Sequence, residues 1–497
     1  MTQRYDVAIV GYGPVGATLA ALLGRVGVSV IIFDKETGIY NLPRAVHFDD
    51  EVMRIFQSAG ISDQLVRKVR INPGMRFVDW SGALLLDWPR PSEISPQGWN
   101  ASYRFHQPDL EAILRNAVAS LKTVEVRTGQ EIVDATNCRN HVKLTAKNRS
   151  TGEPQSVECT YMVGCDGARS STRSFMNSKM NDFGFRERWL VVDVLLTRPR
   201  PDLGDFSIQY CDPDRSATYV RGPENRRRWE IALRQHDSAE NFGDPTSIWD
   251  RLSDWITPSD AELERSAIYE FRSVVADKWV CERMILAGDS AHQTPPFMGQ
   301  GMCAGIRDVS NLAWKLLACL NGADSSKLLA SYQSERIPHV RQYIEMAVRL
   351  GRLINATNSQ EALAAAFPLA DGSAQIKSIA PPLGPGLWQD NNQHATHLSQ
   401  QSQLNDGTWM DDRLGMAAGL LVGPDLQDDA DCAFDTFRGQ TLSATDHPNV
   451  AIYLQQLGVA CALVRPDRYI FGTANTRAQA NRLIRDWDAC IATPPLL

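Results

Sequence analysis

Residues 5–34 constrain this chain more than any other stretch. Residues 5–10 (YDVAIV) form a near-continuous apolar run, the kind carried by a strand buried on both faces. The run breaks at GYGPVG, residues 11–16, after which Val15, Leu19, Leu22 and Val26 recur at helical spacing. Residues 28–33 read as a second strand that ends at Asp34. A strand, a G-x-G-x-x-G turn, a helix and an acidic residue about 20 positions on predict a β-α-β dinucleotide-binding unit. Gly11 permits the tight turn, Gly13 lets the backbone approach a pyrophosphate, and Gly16 lets helix and strand pack closely. Asp34 is placed to accept a ribose hydroxyl. The motif alone leaves NAD and FAD both open.

Two later stretches narrow the choice. In GCDGARSSTR (164–173) a strand-like run ends in Asp166-Gly167, followed by Arg169, Ser170 and Arg173. Such a turn can set a carboxylate and cations beside a phosphate-bearing cofactor. Asp-Gly turns are common, so this one counts only in combination. In MILAGDSAHQTPPFMGQGMCAGIRD (284–308) a short apolar strand over 284–287 ends in Gly288-Asp289, where a carboxylate can bond a polyol chain. The loop over 295–301 then brings the amides of residues 299–302 to a helix start. A positive helix end suits an electron-rich group, and a reduced isoalloxazine carries negative charge around N1. Three signatures in this order point to a bound flavin.

The rest of the chain bounds the reading. At 497 residues it has room for two or three domains with a sizeable core. A net charge of −7 without a basic stripe argues against nucleic acid as the main partner. The ten cysteines show no C-x-x-C and no metal-ligand spacing, so no metal is expected. Cys281, Cys319 and Cys461 sit in apolar runs and read as reduced packing residues. No apolar stretch reaches the roughly 18 residues of a membrane span. The N-terminus runs straight into a strand with no room for a signal peptide, so a cytoplasmic protein is predicted, as monomer or homodimer.

Periodicity then divides the chain. Residues 1–182 form the nucleotide-binding domain, with part of a second sheet at 71–100 and helices over 51–59 and 109–121. Strand-like runs separated by turn residues over 183–275 predict an inserted antiparallel sheet. Residues 276–370 complete the first domain and are mostly helical over 303–350. Residues 371–410, rich in Gly, Pro, Gln and Asn, read as a linker. Residues 411–497 form a small α/β domain, opening on a patch of seven Asp between 411 and 435 that reads as a solvated face.

GYGPVG, Asp166-Gly167 and Gly288-Asp289 with PPFMGQGMCAGIRDVSNLAWKL (295–316) resemble the single-component aromatic hydroxylases of the para-hydroxybenzoate hydroxylase class. Within it the chain looks most like 3-(3-hydroxyphenyl)propionate hydroxylases and related phenol or polyketide hydroxylases. The resemblance covers residues 1–350, and LVRPDRYI (463–470) looks similar to the thioredoxin-like tail of the phenol hydroxylase branch. It implies a Rossmann-like FAD-binding α/β fold with an inserted antiparallel substrate sheet and a thioredoxin-like C-terminal domain. It also implies hydroxylation of a phenolic ring with NADH or NADPH and O2, through a flavin C4a-hydroperoxide. Gly11, Gly13, Pro14, Val15, Gly16, Asp34 and Lys35 would then hold the ADP half of FAD. Arg44 and Gln107 would contact its phosphate and ribityl regions, Gly288 and Asp289 the phosphate–ribityl part. Pro296, Gly299, Gln300, Gly301 and Met302 would meet the pyrimidine edge. Asp166 would serve both FAD and transient NAD(P)H. Many relatives have Asn where Cys303 stands, so Cys303 reads as a packing residue.

Strands over 183–275 carry Trp189, Phe206, Tyr210, Tyr219, Trp229, Tyr269 and Phe271, most of them expected in the core. Activating a phenol requires a base or hydrogen-bond acceptor within reach. His47 and Tyr269 are the candidates taken forward, with His106 and His292 also considered. Arg272 is the first candidate for a substrate carboxylate, with Arg228 and Arg104 as alternatives. Competing readings are a hydroxylase of polyketides or other aromatic secondary metabolites, an NAD-dependent dehydrogenase, and a flavin-binding protein without turnover.

Overall fold

The computed structural model describes residues 4–39, 45–212, 214–234, 237, 244–356, 358–367, 375–427 and 439–492. Arg4–Val10 pairs in parallel with Val30–Asp34 on one side and Pro154–Gly164 on the other. Val124–Thr128 and Met284–Leu286 extend this core at either side, again in parallel. Both faces are covered, so the strands are apolar throughout rather than alternating: Val7, Ala8, Ile9, Val30, Ile31, Ile32 and Phe33 are fully buried. The register puts Val10 opposite Gly164 and Gly164 opposite Leu286. The three glycine-containing segments that follow these strands therefore leave the sheet along one edge. In an open α/β sheet the crevice beyond the carboxyl ends of the strands is where a ligand binds.

The second sheet runs in the order His292–Gln293, Ala261–Ala276, Met180–Leu196, Arg226–Leu233, Ala217–Arg221, Ser207–Tyr210, Gly74–Val78 and Leu84–Pro89. All neighbours are antiparallel except Ser207–Tyr210 with Gly74–Val78. Its outer face buries Leu190, Val192, Val194, Tyr219, Trp229 and Ile231 against Ile248 and Leu252 of the helix Pro245–Leu252. Tyr219 and Trp229 are thus core residues, the fate expected of most strand aromatics. A three-stranded sheet, His47–Asp49, Ser102–Arg104 and Arg70–Ile71, lies apart from both and sets His47 opposite Arg104.

The helical stretch expected over 303–350 is two helices, Gly301–Leu320 and Ser325–Ile354, broken where Asp324 caps the second by accepting from Ser326 N at 2.9 Å. The C-terminal unit is a four-stranded mixed sheet in the order Gln440–Ser443, Gly419–Val422, Cys461–Val464, Ile470–Ala474, with helices Pro448–Leu457 and Arg477–Ile491. Trp487 of its last helix meets Phe471 at 5.4 Å and Trp314 of Gly301–Leu320 at 5.8 Å between ring centroids. Asp411, read from sequence as part of a solvated acidic face, is instead buried and paired with Arg54 at 2.6 Å. Charge density along a chain does not reveal which carboxylate finds a cation from another unit. Residues 428–438, the rest of that patch, lie outside the described residues. Among the described residues no helix is long and apolar enough to cross a membrane, and no cluster of metal-ligating side chains forms.

Candidate active site

At the end of Arg4–Val10 the three glycines do separate jobs. Gly11 has φ +104°, and a Cβ there would run into the Cys165 carbonyl. A Cβ on Gly16 would collide with the Gly11 carbonyl and crowd Ile9. Gly13 is the N-cap of the helix Pro14–Arg25, with Pro14 in its first turn, and a Cβ there would meet nothing within 4 Å. Open space in front of a helix N-terminus is what a pyrophosphate requires, so the turn fits a dinucleotide. Val15 wedges its side chain between Gly288 and Gly305, locking the first and third motifs together. Asp34 accepts from the backbone N–H of Tyr12 (2.7 Å) and of Glu36 (2.8 Å), which shapes the turn and leaves further lone pairs for a ribose. Lys35 is exposed beside it.

Gln107 opens the helix Gln107–Ala119, accepts from Ala45 N at 3.0 Å and donates to Glu111 at 2.8 Å. It therefore fixes the end of the loop that carries Arg44, which itself lies outside the described residues. Asp166 is occupied by its own loop. Its carboxylate accepts from Ser170 Oγ (2.5 Å), Thr172 N (3.0 Å) and Thr172 Oγ1 (3.1 Å), holding the short helix Ser171–Phe175. Arg173 ties this loop to the third motif by donating to the Ser290 carbonyl at 2.9 Å.

In the third motif Gly288 adopts φ +67° and donates its N–H to buried Asp308 at 3.0 Å, with half-buried Asp289 next in the turn. Asp308 also meets His292 Nε2 at 2.7 Å and Arg336 Nε at 2.9 Å. Burial alone would raise its carboxyl, but the imidazole and guanidinium hold it below the ordinary value. His292 thus braces the loop. Pro296–Met298 make a turn, Gly299 has φ +63°, and Gln300, Gly301 and Met302 lead into the 20-residue helix Gly301–Leu320, whose first turn holds no acidic residue. The side chain of Gln300 donates to Asp49 at 3.1 Å and accepts from Arg307 at 2.9 Å. Cys303 is fully buried and directs its thiol to the carbonyls of Gly299 and His47.

Beside this turn lies a cavity of about 660 Å³, counted with its open mouth. His47, Arg90, Arg104, Trp189, Glu230 and Pro296 are among its walls. Of the three residues read from sequence as catalytic, only His47 reaches it. Arg272 is exposed and paired with Glu270 at 2.6 Å. Tyr269 shares its strand but not the cavity, and its hydroxyl accepts from Arg265 at 3.2 Å. Side chains alternate across the sheet, and period alone does not say which face is roofed. Arg228 is buried but spent on Asp193 at 2.6 Å. His106 caps Gln107–Ala119 beside Asp109 at 3.2 Å.

Arg104 differs from the other two candidates, Arg228 and Arg272. It is 8 % exposed, donates to Ser207 Oγ, and has no carboxylate in ion-pair reach among the described residues. Burial, and then the neighbouring Arg90, pull its guanidinium down to about 9. His47 lies opposite it in register, so both side chains share one face. Burial, then Arg104 and Arg90, hold the imidazole down to about 3, so it is neutral at pH 7. Asn72 accepts from Gly74 N through Oδ1 (3.2 Å) and donates through Nδ2 to Ser102 Oγ at 2.7 Å. Ser102 Oγ also lies 2.7 Å from His47 Nε2, while Nδ1 is buried with no hydrogen-bond partner among the described residues. Glu230 stands on the sheet side, and burial raises its carboxyl although Arg228 opposes this. Sequence reasoning passed over Glu230 entirely. Its one signal is an acidic residue among apolar ones in RRRWEIAL (226–233).

Residues 4–347 match a family described as FAD binding domain. A protein of Rhodococcus jostii (strain RHA1), described as a probable NADH-specific resorcinol 4-hydroxylase, is 37% identical over 517 aligned residues, spanning 99% of this chain and 96% of that one. A 3-(3-hydroxy-phenyl)propionate/3-hydroxycinnamic acid hydroxylase of Burkholderia cenocepacia (strain HI2424) is 36% identical over 357 residues, 72% of this chain and 65% of that one. Among solved structures, the flavin-dependent monooxygenase PieE in complex with FAD and substrate has a TM-score of 0.83 at 22% identity, covering 99% of this chain and 100% of that one. The rebeccamycin biosynthetic enzyme RebC with reduced flavin has 0.78 at 20%, covering 99% of each. At those identities the likeness is one of fold.

Proposed function

From the premise that the chain belongs to the FAD binding domain family and is an FAD-dependent aromatic monooxygenase, we propose that its substrate is a small phenol of the resorcinol type and its electron donor NADH. Bound FAD supplies the redox chemistry, carrying electrons from NADH to O2 and one oxygen atom to the ring. Gly13, Pro14, Asp34, Asp289 and the amides of residues 299–302 are the groups that would hold it. The chain's own part is to orient the ring, exclude water and move one proton. Arg104 holds a ring oxygen as its anion, with His47 Nδ1 beside it on the same face. Glu230, a carboxyl on the same cavity wall that burial raises above its ordinary value, is the acceptor. Ring carbon is a better nucleophile when its oxygen is anionic, so this is the activation that hydroxylation requires.

The observation that carries the reading is the buried, unpaired guanidinium of Arg104 in a cavity with polar walls on several sides. A charge so placed is costly unless a ligand anion completes it. A compact dihydroxybenzene suits the wall polarity, and the full-length match to a resorcinol hydroxylase supports it. The same cation supports a second reading, in which it pairs with the carboxylate of a hydroxyphenylpropanoate. Product analysis with resorcinol and with 3-(3-hydroxyphenyl)propionate, under NADH and 18O2, decides between them. Label in a trihydroxybenzene only from resorcinol sustains the first reading, and label only in the propanoate product sustains the second. NADH consumption without a labelled product from either overturns both.

A further inference from the structure

We propose that the C-terminal unit is a working part of the flavin site, with Tyr469 as a positioning residue that sets the flavin-edge turn through Glu51 and Arg307. The inference rests on the reading that residues 299–302 meet the flavin. Its starting point is LVRPDRYI (463–470), a tight turn closed by Arg465 N donating to the Tyr469 carbonyl at 2.8 Å. Arg465, Asp467, Arg468 and Tyr469 are all buried, which is unusual for the polar residues of a turn. Three of them are anchors. Arg465 pairs with Glu335 (2.7 Å) and Asp467 (2.6 Å), Lys315 joins Glu335 at 2.8 Å, and Arg468 pairs with Asp411 at 3.2 Å beside Arg54. The pairs with Glu335 hold the unit to the two long helices, and Asp411 joins Arg468 to Arg54.

Tyr469 points elsewhere. Its hydroxyl donates to Glu51 Oε1 at 2.9 Å, and the other oxygen of Glu51 accepts from Arg307 Nε. Burial keeps the tyrosine protonated, the state in which it can donate. Arg307 then reaches Asp49 at 2.6 Å and Gln300 Oε1 at 2.9 Å. Gln300 is the residue between Gly299 and Gly301 that opens the helix Gly301–Leu320. Asp49 caps the helix Asp50–Ser58 by accepting from Val52 N at 3.2 Å, two residues after His47. The relay therefore ends on both the flavin-edge turn and the strand of the substrate wall. Tyr469, Glu51, Asp49, Gln300 and Arg307 also line one cavity, which shares His47, Trp88, Arg90 and Met298 with the reaction cavity. Each link includes an ionised partner, so it is short and directional, and a shift at one end is felt at the other.

The test uses the full-length protein, with Tyr469→Phe, Glu51→Gln and the double variant. Apoprotein is titrated with FAD, the visible spectrum of each holoprotein is recorded, and the fraction of NADH oxidation that yields hydroxylated product rather than hydrogen peroxide is measured. Tyr469→Phe keeps the ring and loses only the hydroxyl. FAD affinity should weaken about 3- to 10-fold, as expected for one charge-assisted hydrogen bond felt at second hand. The flavin band should shift and coupling should fall, with the unfolding temperature nearly unchanged. The double variant should be no worse than the worse single one. Wild-type affinity, spectrum and coupling in Tyr469→Phe, or full additivity in the double variant, would overturn the relay. A change in unfolding temperature alone would reduce Tyr469 to an anchor and overturn it equally. A wild-type protein that takes up no FAD would instead overturn the flavin reading on which it rests.

Discussion

Replacing Arg104 by methionine should make the substrate-free protein more stable and the enzyme worse, and both magnitudes follow from the same burial. The guanidinium sits 8 % exposed without a carboxylate partner among the described residues, and its pKa falls from 12.5 to about 9. At about 1.4 kcal/mol per tenfold change in protonation, that fall bounds the strain of keeping it charged near ~5 kcal/mol. The hydrogen bond to Ser207 returns about 1 kcal/mol, and cavity relaxation takes a further share, so a net gain of about 1–3 kcal/mol is expected for an apolar side chain of similar volume. Because the folded pKa lies below the unfolded one, both states are charged at neutral pH and the penalty is fully present there. It is relieved only as pH rises above about 9, so the gap between variant and wild type should narrow in that range. In catalysis the variant loses a charged hydrogen bond to the ring oxygen, about 1.5–3 kcal/mol, or about 10- to 150-fold in kcat/KM. Thermal unfolding of the FAD-loaded protein without substrate, steady-state NADH oxidation with resorcinol, and an FAD titration complete the assay. The FAD affinity should not move. A variant that is less stable than wild type yet keeps its kcat/KM would refute the reasoning, since the guanidinium would then be a structural group and not half of a substrate ion pair.

Other outcomes can be stated more briefly. Gly13→Val should fold with wild-type apoprotein stability but purify colourless, because its side chain occupies only the open cradle, whereas Gly16→Val should fail to accumulate because it collides with the Gly11 carbonyl; a fully flavinylated Gly13→Val would show the cradle to be misassigned. Asp50, whose carboxyl burial and then Asp49 push up to about 6 from 3.8, destabilises the fold once ionised. Its contribution is fully present below pH 3.8 and lost as pH rises through about 6, so Asp50→Asn should gain about 1–3 kcal/mol at pH 8 and nothing near pH 4 in denaturant unfolding. Glu335 is held down to about 2 by Arg465 and Lys315 against the effect of burial. Its stabilisation is present above 4.5 and lost as pH falls toward about 2, so Glu335→Gln should weaken the protein at pH 7 and flatten its acid-unfolding limb over that window.

Cofactor binding was legible from the sequence because each of its devices is local. A glycine that must turn, approach or pack leaves its mark within six residues, and strand registers then carry Gly11, Asp166 and Gly288 to one edge. The structure gives some of these residues a further task. Asp166, Val15 and the side chain of Gln300 hold the loops together, work that a motif does not distinguish from touching the ligand. Element type was legible for the same reason, and boundaries moved by one or two residues: the helix expected over 51–59 is Asp50–Ser58, and that over 109–121 is Gln107–Ala119, begun early by Pro108 in its first turn.

The substrate site was much less legible, and the arginines show why. Arg104, Arg228 and Arg272 are indistinguishable as isolated letters on strands, and Arg272 was the one taken forward. What separates them is the carboxylate each finds. Glu270 lies two residues from Arg272 on an exposed strand, and Asp193 reaches Arg228 across the sheet, while Arg104 finds none among the described residues. Two of these charges are neutralised within the protein, and on the proposed reading the third is completed by a ligand. A candidate cation of this kind is recognised by what is missing around it, and that is a property of the assembled walls. The same logic explains Asp411 and Tyr469. Asp411 lies in a patch read as a solvated face and Tyr469 beside a turn, and both are held inward by partners more than 350 residues away in the chain, Arg54 and Glu51. Polar residues of this kind are specified by complementarity between units rather than by pattern within one. In the proposed relay the C-terminal unit does the same, supplying through Tyr469 a hydroxyl to the polar circuit of Glu51, Arg307 and Gln300.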